Sequence, residues 1–297
     1  MMPKGLKLTK RSQDDSDRAA EALSKVELVI TDCDGTLLYT DKTLGEPAKE
    51  AVRNLSAAGV RFTVASSRPG KGMRTIVDTL GIKTPFAAFN GGKLVDPAGW
   101  KTMNAHWLAR DAAEIALESL ARDGIDAWVF IDDQWYITNP AGEYVPLERR
   151  TVGYDAVVVK RFEDIDLGSV EKIVASTSNA ALLERKEAEF AGTLKGQATA
   201  MRSQSYYLDI THPLANKGEG IRELAQLAGV ALENVAVLGD MQNDVAMFDV
   251  AGVSIVMGQA SAQVQANATF VSSTNDEDGF AVGVNGLLAA RKGEKVF

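Results

Sequence analysis

The sequence predicts an α/β fold in which two separated stretches of chain build one parallel sheet and an α+β unit is inserted between them. Three observations carry this reading. Short apolar runs alternate with helical segments from Val26 to about Asn90, as parallel βαβ units do. The same alternation returns from Gly218 onward. Between them, from Lys93 to about Tyr207, a helix, strand, strand rhythm occurs twice.

Taken in order, Val26 to Ile30 reads as a strand and Glu46 to Ala58 as a helix closed by Gly59. Arg61 to Ala65 is the next strand, Met73 to Leu80 a helix closed by Gly81, and Phe86 to Phe89 a third strand. Right-handed crossovers lay these three strands parallel. In the insertion, the helix Asp111 to Arg122 precedes strands Ala127 to Ile131 and Trp135 to Thr138. The helix Ala180 to Leu194 precedes Thr199 to Ser203 and Tyr206 to Ile210. The second half of the sheet follows: helix Gly218 to Ala228, strand Val235 to Leu238, helix Val245 to Val250, strand Val253 to Val256 and helix Ala260 to Ala266. The division is therefore 25–92 with 209–297 as core, 93–208 as insertion, and 1–24 as a polar, mobile N-terminal extension running into a short helix at Asp17 to Ser24. Trp100, Trp107, Trp128 and Trp135 read as anchors of the insertion's own core.

A chain of 297 residues, 45% hydrophobic, is long enough for such an arrangement. Its net charge of -8 argues against nucleic acid or an anionic membrane surface as a partner. Cys33 is the single cysteine, so no intrachain disulfide forms. No apolar run approaches the roughly 18 residues of a membrane span, and the basic start (Lys4, Lys7, Lys10, Arg11) is not followed by a signal-peptide apolar stretch. The chain reads as soluble and cytoplasmic.

In an open α/β sheet, ligands bind beyond the carboxyl ends of the strands, and every polar motif here sits at such an end. Asp32 and Asp34 follow the first strand, Ser66-Ser67-Arg68-Pro69 the second, Asn90-Gly91-Gly92 the third, and Gly239-Asp240-Met241-Gln242-Asn243-Asp244 the strand after the insertion. Two carboxylates one residue apart at the mouth of a buried strand are costly unless a cation sits there, and a metal ion fits that need. A calcium loop of the EF-hand kind is excluded, because Thr36-Leu37-Leu38-Tyr39-Thr40 lacks its oxygen ligands.

Together these motifs resemble those of the haloacid dehalogenase superfamily, and in particular its Cof-type (subclass IIB) phosphatases, over about residues 26 to 286. Asp32-Cys33-Asp34-Gly35-Thr36 is similar to the first motif, Ser66 with Ser67-Arg68-Pro69 to the second, Lys217 to the third, and Gly239-Asp240 with Asn243-Asp244 to the fourth. Weaker echoes are Met257-Gly258-Gln259-Ala260 and Thr274-Asn275-Asp276-Glu277-Asp278-Gly279. The resemblance implies a Rossmann-like parallel-sheet core with an α+β cap, and Mg²⁺-dependent hydrolysis of a small phosphomonoester such as a sugar phosphate. It implies Asp32 as nucleophile forming an aspartyl-phosphate, Asp34 as acid and base, and Ser66 and Lys217 as phosphate ligands. For Mg²⁺ it implies the Asp32 carboxylate, the Asp34 main-chain carbonyl and Asp240, with Asp244 holding waters or Lys217. Asn90, Gly91 and Asn243 are placed near the phosphate. Arg68 is either a phosphate ligand or half of a structural salt bridge.

One departure stands out: the family's second motif has Gly where this chain has Ser67, which adds a side chain where backbone approaches phosphate. Cys33 points away from its acidic neighbours on the pleat and reads as packing. His106 and His212 lack ligand spacing and read as bystanders, and Arg149-Arg150 as a solvated charge pair. Competing functions on the same residues are a sugar phosphomutase and a non-catalytic phosphometabolite-binding protein. A receiver domain shares the phosphoaspartate logic but lacks a long insertion.

Overall fold

The computed structural model describes residues 5–9, 13–294 and 296. The strands Arg61–Val64, Leu28–Thr31, Val235–Gly239, Val253–Val256 and Phe270–Val271 lie side by side in that order and run parallel. Leu28–Thr31 and Val253–Val256 are buried on both faces, as strands sandwiched between helices must be. Register aligns Thr31 with both Val64 and Leu238, so the residues that follow these three strands emerge at one level. Asp32 N–H continues the ladder to Leu238 O at 2.9 Å.

The third predicted strand, Phe86–Ala88, touches this sheet through one parallel bridge, Ala65 to Ala87. It then pairs antiparallel with Lys93–Asp96, which pairs with Lys101–Ala105. The sequence reading began the insertion at residue 93, but this small sheet belongs beside the core. The insertion's own sheet runs in the order Thr199–Gln204, Tyr207–Thr211, Val170–Ser176, Asp126–Ile131, Gln134–Ile137 and Val157–Val158. It reaches Thr211, past the boundary read at 208.

The two helix, strand, strand repeats are present with shifts of a residue or two at their ends. Helices Arg110–Arg122 and Ala180–Thr193 cover one face of this sheet, burying Ala112, Ala116, Leu120, Leu183 and Phe190 against Val129, Ile173, Ala175, Leu208 and Ile210. Because strand side chains alternate, Val174, Tyr207 and Asp209 are left on the opposite face, toward the parallel sheet. Val174 and Asp209 are direct cross-strand partners there. Trp128 and Trp135 are buried on that same side, edge to face at 5.5 Å. Trp107 is not the core anchor the sequence suggested: it is 49% exposed. Trp100 packs edge-on to Phe86 and carries the Arg74 guanidinium over its ring.

The N-terminal residues that are described are not an appended extension. Lys7–Leu8 pair antiparallel with Phe270–Val271 and form the edge of the parallel sheet. Helix Gln13–Ser24, longer than the sequence suggested, packs against helix Gly279–Arg291. Leu6 is seated so closely on that helix that a Cβ at Gly286 would meet its Cδ1 at 2.7 Å. Lys4, Lys10 and Arg11 lie outside the described residues. Leu23 is fully buried, and Leu23→Ala is expected to cost about 2 to 5 kcal/mol of stability. Urea unfolding checks this; a loss near zero would mean the segment does not belong to the core.

Candidate active site

Lys217 is the first residue of helix Lys217–Ala228, whose N-cap Asn216 accepts the Glu219 amide at 3.0 Å. That cap aims the lysine stem under the strand ends. Its ammonium is wholly buried and is held by Asp32 Oδ1 at 2.5 Å and Asp244 Oδ1 at 2.5 Å. Burial disfavours the Lys217 charge, but Asp244 and Asp32 outweigh it and hold its pKa above the ordinary lysine value.

Asp244 spends its second oxygen on the amides of Asp240 and Met241, both at 2.8 Å. It thus ties the Gly239-Asp240 turn to Lys217. Asp240 accepts the Thr36 hydroxyl at 2.9 Å. Gly35 has φ +80°, and a Cβ there would lie 2.5 Å from Asp240 Oδ2. Only glycine lets the first motif close over Asp240. The Asn90-Gly91-Gly92 turn meets the helix of Lys217 in the same way, since a Cβ on Gly91 would lie 2.5 Å from Asn216 O. Asn90 Oδ1 accepts the Asn243 amide at 3.0 Å, joining the third and fourth strand ends.

Asp32, Asp240 and Asp244 are all buried and bring carboxylate oxygens within 4.8 Å of one another. Burial pushes Asp32 well up despite Lys217, with Asp244 and Asp240 adding repulsion. Burial and Asp244 push Asp240 up to about 6. One ammonium does not balance three carboxylates, and an all-oxygen donor set of this kind suits a hard divalent cation such as Mg²⁺. With both Asp244 oxygens engaged, Asp32 and Asp240 are the carboxylates left to face it.

Asp34 lives in the opposite environment. Its oxygens accept Arg68 Nε and Nη2 at 2.7 Å each, a bidentate pair, and Lys42 Nζ lies 2.9 Å away. Burial acts to raise the Asp34 pKa, but these cations prevail and hold it at about 2. Arg68 is therefore half of a salt bridge in this arrangement, and Lys42 is a site residue the sequence reading missed. Nothing in the pattern around Lys42 marks it; its backbone is left-handed, with φ 69°.

Ser66 is buried, and its hydroxyl oxygen accepts the Arg68 amide at 3.2 Å, which leaves its proton free to donate. The weaker motifs brace the first one from behind. Gln259 donates to Gly35 O at 2.6 Å and accepts from the Asn275 amide at 3.0 Å, and Asn275 donates to Leu38 O at 3.1 Å. Cys33 is buried packing, its thiol pushed well up by burial.

Asp32 and Asp34 open into a cavity of about 160 Å³. Its core wall includes Ser67, Arg68 and Asn243; the facing wall is Glu148, Lys172, Tyr207 and Asp209 from the inserted unit. The Ser67 carbonyl faces the inserted unit, 3.4 Å from Lys172 Nζ. His106 and His212 line none of this. They stack on one another at 5.4 Å where the chain crosses into and out of the inserted unit, and His106 Nε2 meets Glu223 at 2.9 Å. Arg149 pairs with Asp155 on the surface.

The family model of the haloacid dehalogenase-like hydrolases matches residues 29–283. The chain is 23% identical to the 5-amino-6-(5-phospho-D-ribitylamino)uracil phosphatase YwtE of Bacillus subtilis, across 90% of this chain and 99% of that one. It is 28% identical to the HMP-PP phosphatase of Cronobacter sakazakii, across 79% and 85%. A haloacid dehalogenase-like hydrolase from Bacteroides thetaiotaomicron superposes with a TM-score of 0.80 at 25% identity, covering 88% and 98%.

Burial pushes Glu148 up to about 7, helped by Asp209 and opposed by Lys172. A carboxyl raised on folding favours the protonated native state, so its contribution is intact at low pH and is lost as pH rises through about 7. Glu148→Gln is therefore expected to gain on wild type by roughly 2 to 3 kcal/mol between pH 5 and pH 8. Denaturant unfolding at the two pH values reads the difference; a constant offset would mean that Glu148 keeps an ordinary pKa.

Proposed function

Since the chain belongs to the haloacid dehalogenase-like hydrolases of the Cof type and is a phosphoric monoester hydrolase, we propose that it is a Mg²⁺-dependent phosphatase of a small phosphorylated metabolite, working through a phosphoaspartate on Asp32. The observation that carries this is the opposite treatment of two carboxylates two residues apart: Asp32 sits in the buried acidic cluster with Lys217, and Asp34 at the cavity wall with Arg68 and Lys42.

A phosphomonoester resists attack because its own charge repels nucleophiles, so charge neutralisation and in-line placement make up most of the catalysis. A Mg²⁺ held by Asp32 and Asp240 would supply charge neutralisation on the phosphoryl oxygens. Lys217 partly offsets the burial that pushes Asp32 up and offers the phosphoryl group an ammonium, and a cation held at Asp32 would favour its ionised form further. Ser66 donates its hydroxyl proton to a phosphoryl oxygen, and Asn243, fixed by Asn90, borders the same space. Asp32 attacks phosphorus, an acyl-phosphate bond forms, and the ester P–O bond breaks.

The leaving alkoxide needs a proton, and Asp34 is the carboxyl at the cavity. Clamped by Arg68 it is an acceptor only. The substrate's phosphate competes for that guanidinium and places negative charge beside Asp34, and both effects raise its proton affinity. Asp34 then protonates the leaving group, and takes a proton back from the water that attacks the phosphoaspartate and releases inorganic phosphate.

Phosphate release from a panel of phosphomonoesters, with and without Mg²⁺, tests the reading. Asp32→Asn is expected to lose at least about 1,000-fold in kcat; near-normal turnover would eliminate the covalent route. Turnover of phosphate within the substrate without release would point to a mutase instead. A second expectation needs no substrate: Mg²⁺ at 100 times its dissociation constant should stabilise the fold by about 2.7 kcal/mol. That gain, followed as a rise in Tm, should largely vanish in Asp240→Asn.

A further inference from the structure

A second cavity, of about 590 Å³, lies along the seam between the core and the inserted unit. Lys42, Arg68, Lys71, Arg74 and Arg150 line it, and no Asp or Glu does. In a chain of net charge -8, a wall of cations alone runs against the overall balance. Lys42 and Arg68 are spent on Asp34. The other three form no ion pair among the described residues. Asp133, which accepts the Lys71 main-chain amide at 3.3 Å, is itself spent on Lys93 at 2.7 Å.

Two of these three cations are held by aromatic rings. Lys71 Nζ, from the core, lies 4.4 Å from the centre of the Tyr154 ring of the inserted unit, and the Arg74 guanidinium 3.9 Å from that of Trp100. A ring face positions a cation through its quadrupole but cancels none of its charge, whereas a carboxylate would do both. The seam itself is tight. A Cβ on Gly72 would meet Val152 O at 3.2 Å, so helix Val145–Val152, which carries Arg150, is seated directly on the turn that carries Lys71.

We propose that this seam is an anion site, separate from the catalytic one, which takes a phosphate group of a small ligand carrying two or more negative charges, such as a diphosphate or a bisphosphate. Guanidinium forks match phosphoryl oxygens, and the hydroxyls of Thr75, Thr79 and Thr151 line the same space as further donors. The volume is that of a small-molecule site, and such sites favour the boundary between two units. Because Lys71 and Arg74 come from the core and Arg150 from the inserted unit, an anion between them favours the arrangement in which the two units meet. The seam also shares Lys42, Arg68, Thr151 and Val152 with the catalytic cavity. A phosphate can therefore reach it either as the second phosphate of a substrate or on a ligand of its own.

Titration calorimetry with pyrophosphate, at low salt and without Mg²⁺, tests the site. Under these conditions the acidic cluster, lacking its cation, repels an anion, and the seam is the favoured place. Wild type is expected to bind, and the double variant Arg74→Gln with Arg150→Gln to bind about 10- to 100-fold more weakly, with Lys71→Met falling between them. These side chains are exposed, so their exchange leaves the core intact. Equal affinity in wild type and the double variant overturns the proposal, as does the absence of binding by wild type. The source of the phosphate is read from kcat/KM for a hexose 1,6-bisphosphate relative to the hexose 6-phosphate. A ratio that falls about 10-fold in the double variant identifies the substrate's own second phosphate. An unchanged ratio, alongside weakened pyrophosphate binding, identifies a separate ligand. Calorimetry needs no turnover, so loss of the phosphatase reading would leave this site standing, and loss of the site would leave that reading standing.

Discussion

Everything at the strand ends depends on one buried ammonium. Lys217 has no access to water, and an isolated charge in that position would be prohibitively costly. Asp32 and Asp244 must therefore stay within reach of it. Asp244 passes the constraint on through two amide hydrogen bonds that fix the turn carrying Asp240. The helix start that delivers Lys217 can sit so close only because Gly91 has no side chain. Four loops from distant parts of the chain are held in one geometry by this single charge, and the sheet register that levels Thr31, Val64 and Leu238 supplies the platform.

The same charge explains why the two acids of the first motif behave as opposites. Asp32, directly after the strand, meets Lys217 in the cluster, whereas Asp34, on the turn that follows, meets Arg68 and Lys42 at the cavity. Burial with like charges raises the one, whereas a bidentate guanidinium lowers the other to about 2. A nucleophile and an acid need the reverse order, which a cation at Asp32 and Asp240 and a phosphate at Arg68 would each favour. On the proposed route, charge on the substrate acts on Arg68 before Asp34 carries a proton. In this respect Arg68 links phosphate arrival to acid catalysis.

The strand ends were legible in the sequence because chemistry and topology coincide there: each polar motif follows an apolar run that can only be a buried strand. Asp32, Asp34, Lys217, Asp240 and Asp244 could be named from that pattern with the family resemblance. The face of the inserted unit could not. The strand Val170–Ser176 went unread because Glu171 and Lys172 interrupt its apolar pattern, and they are buried only because Lys93, Asp133 and Asp209 lie across from them. Pairing of that kind is invisible in one dimension. The N-terminal residues misled for a related reason: Leu6 and Leu23 are single apolar positions in a polar stretch, and their burial depends on helix Gly279–Arg291 from the far end of the chain.

The inserted unit meets the core through charges as well as rings. Phe89 and Phe130 touch edge to face at 5.9 Å, and beside them Lys93 from the core reaches Asp133 at 2.7 Å and Glu171 at 2.6 Å. Apolar contacts can slide with little loss, because dispersion and burial have no strong directional preference. A buried lysine shared by two carboxylates cannot slide, since every step away from them leaves a charge unpaired. These ion pairs therefore favour the one arrangement in which Glu148, Lys172, Tyr207 and Asp209 face Asp34 across the cavity.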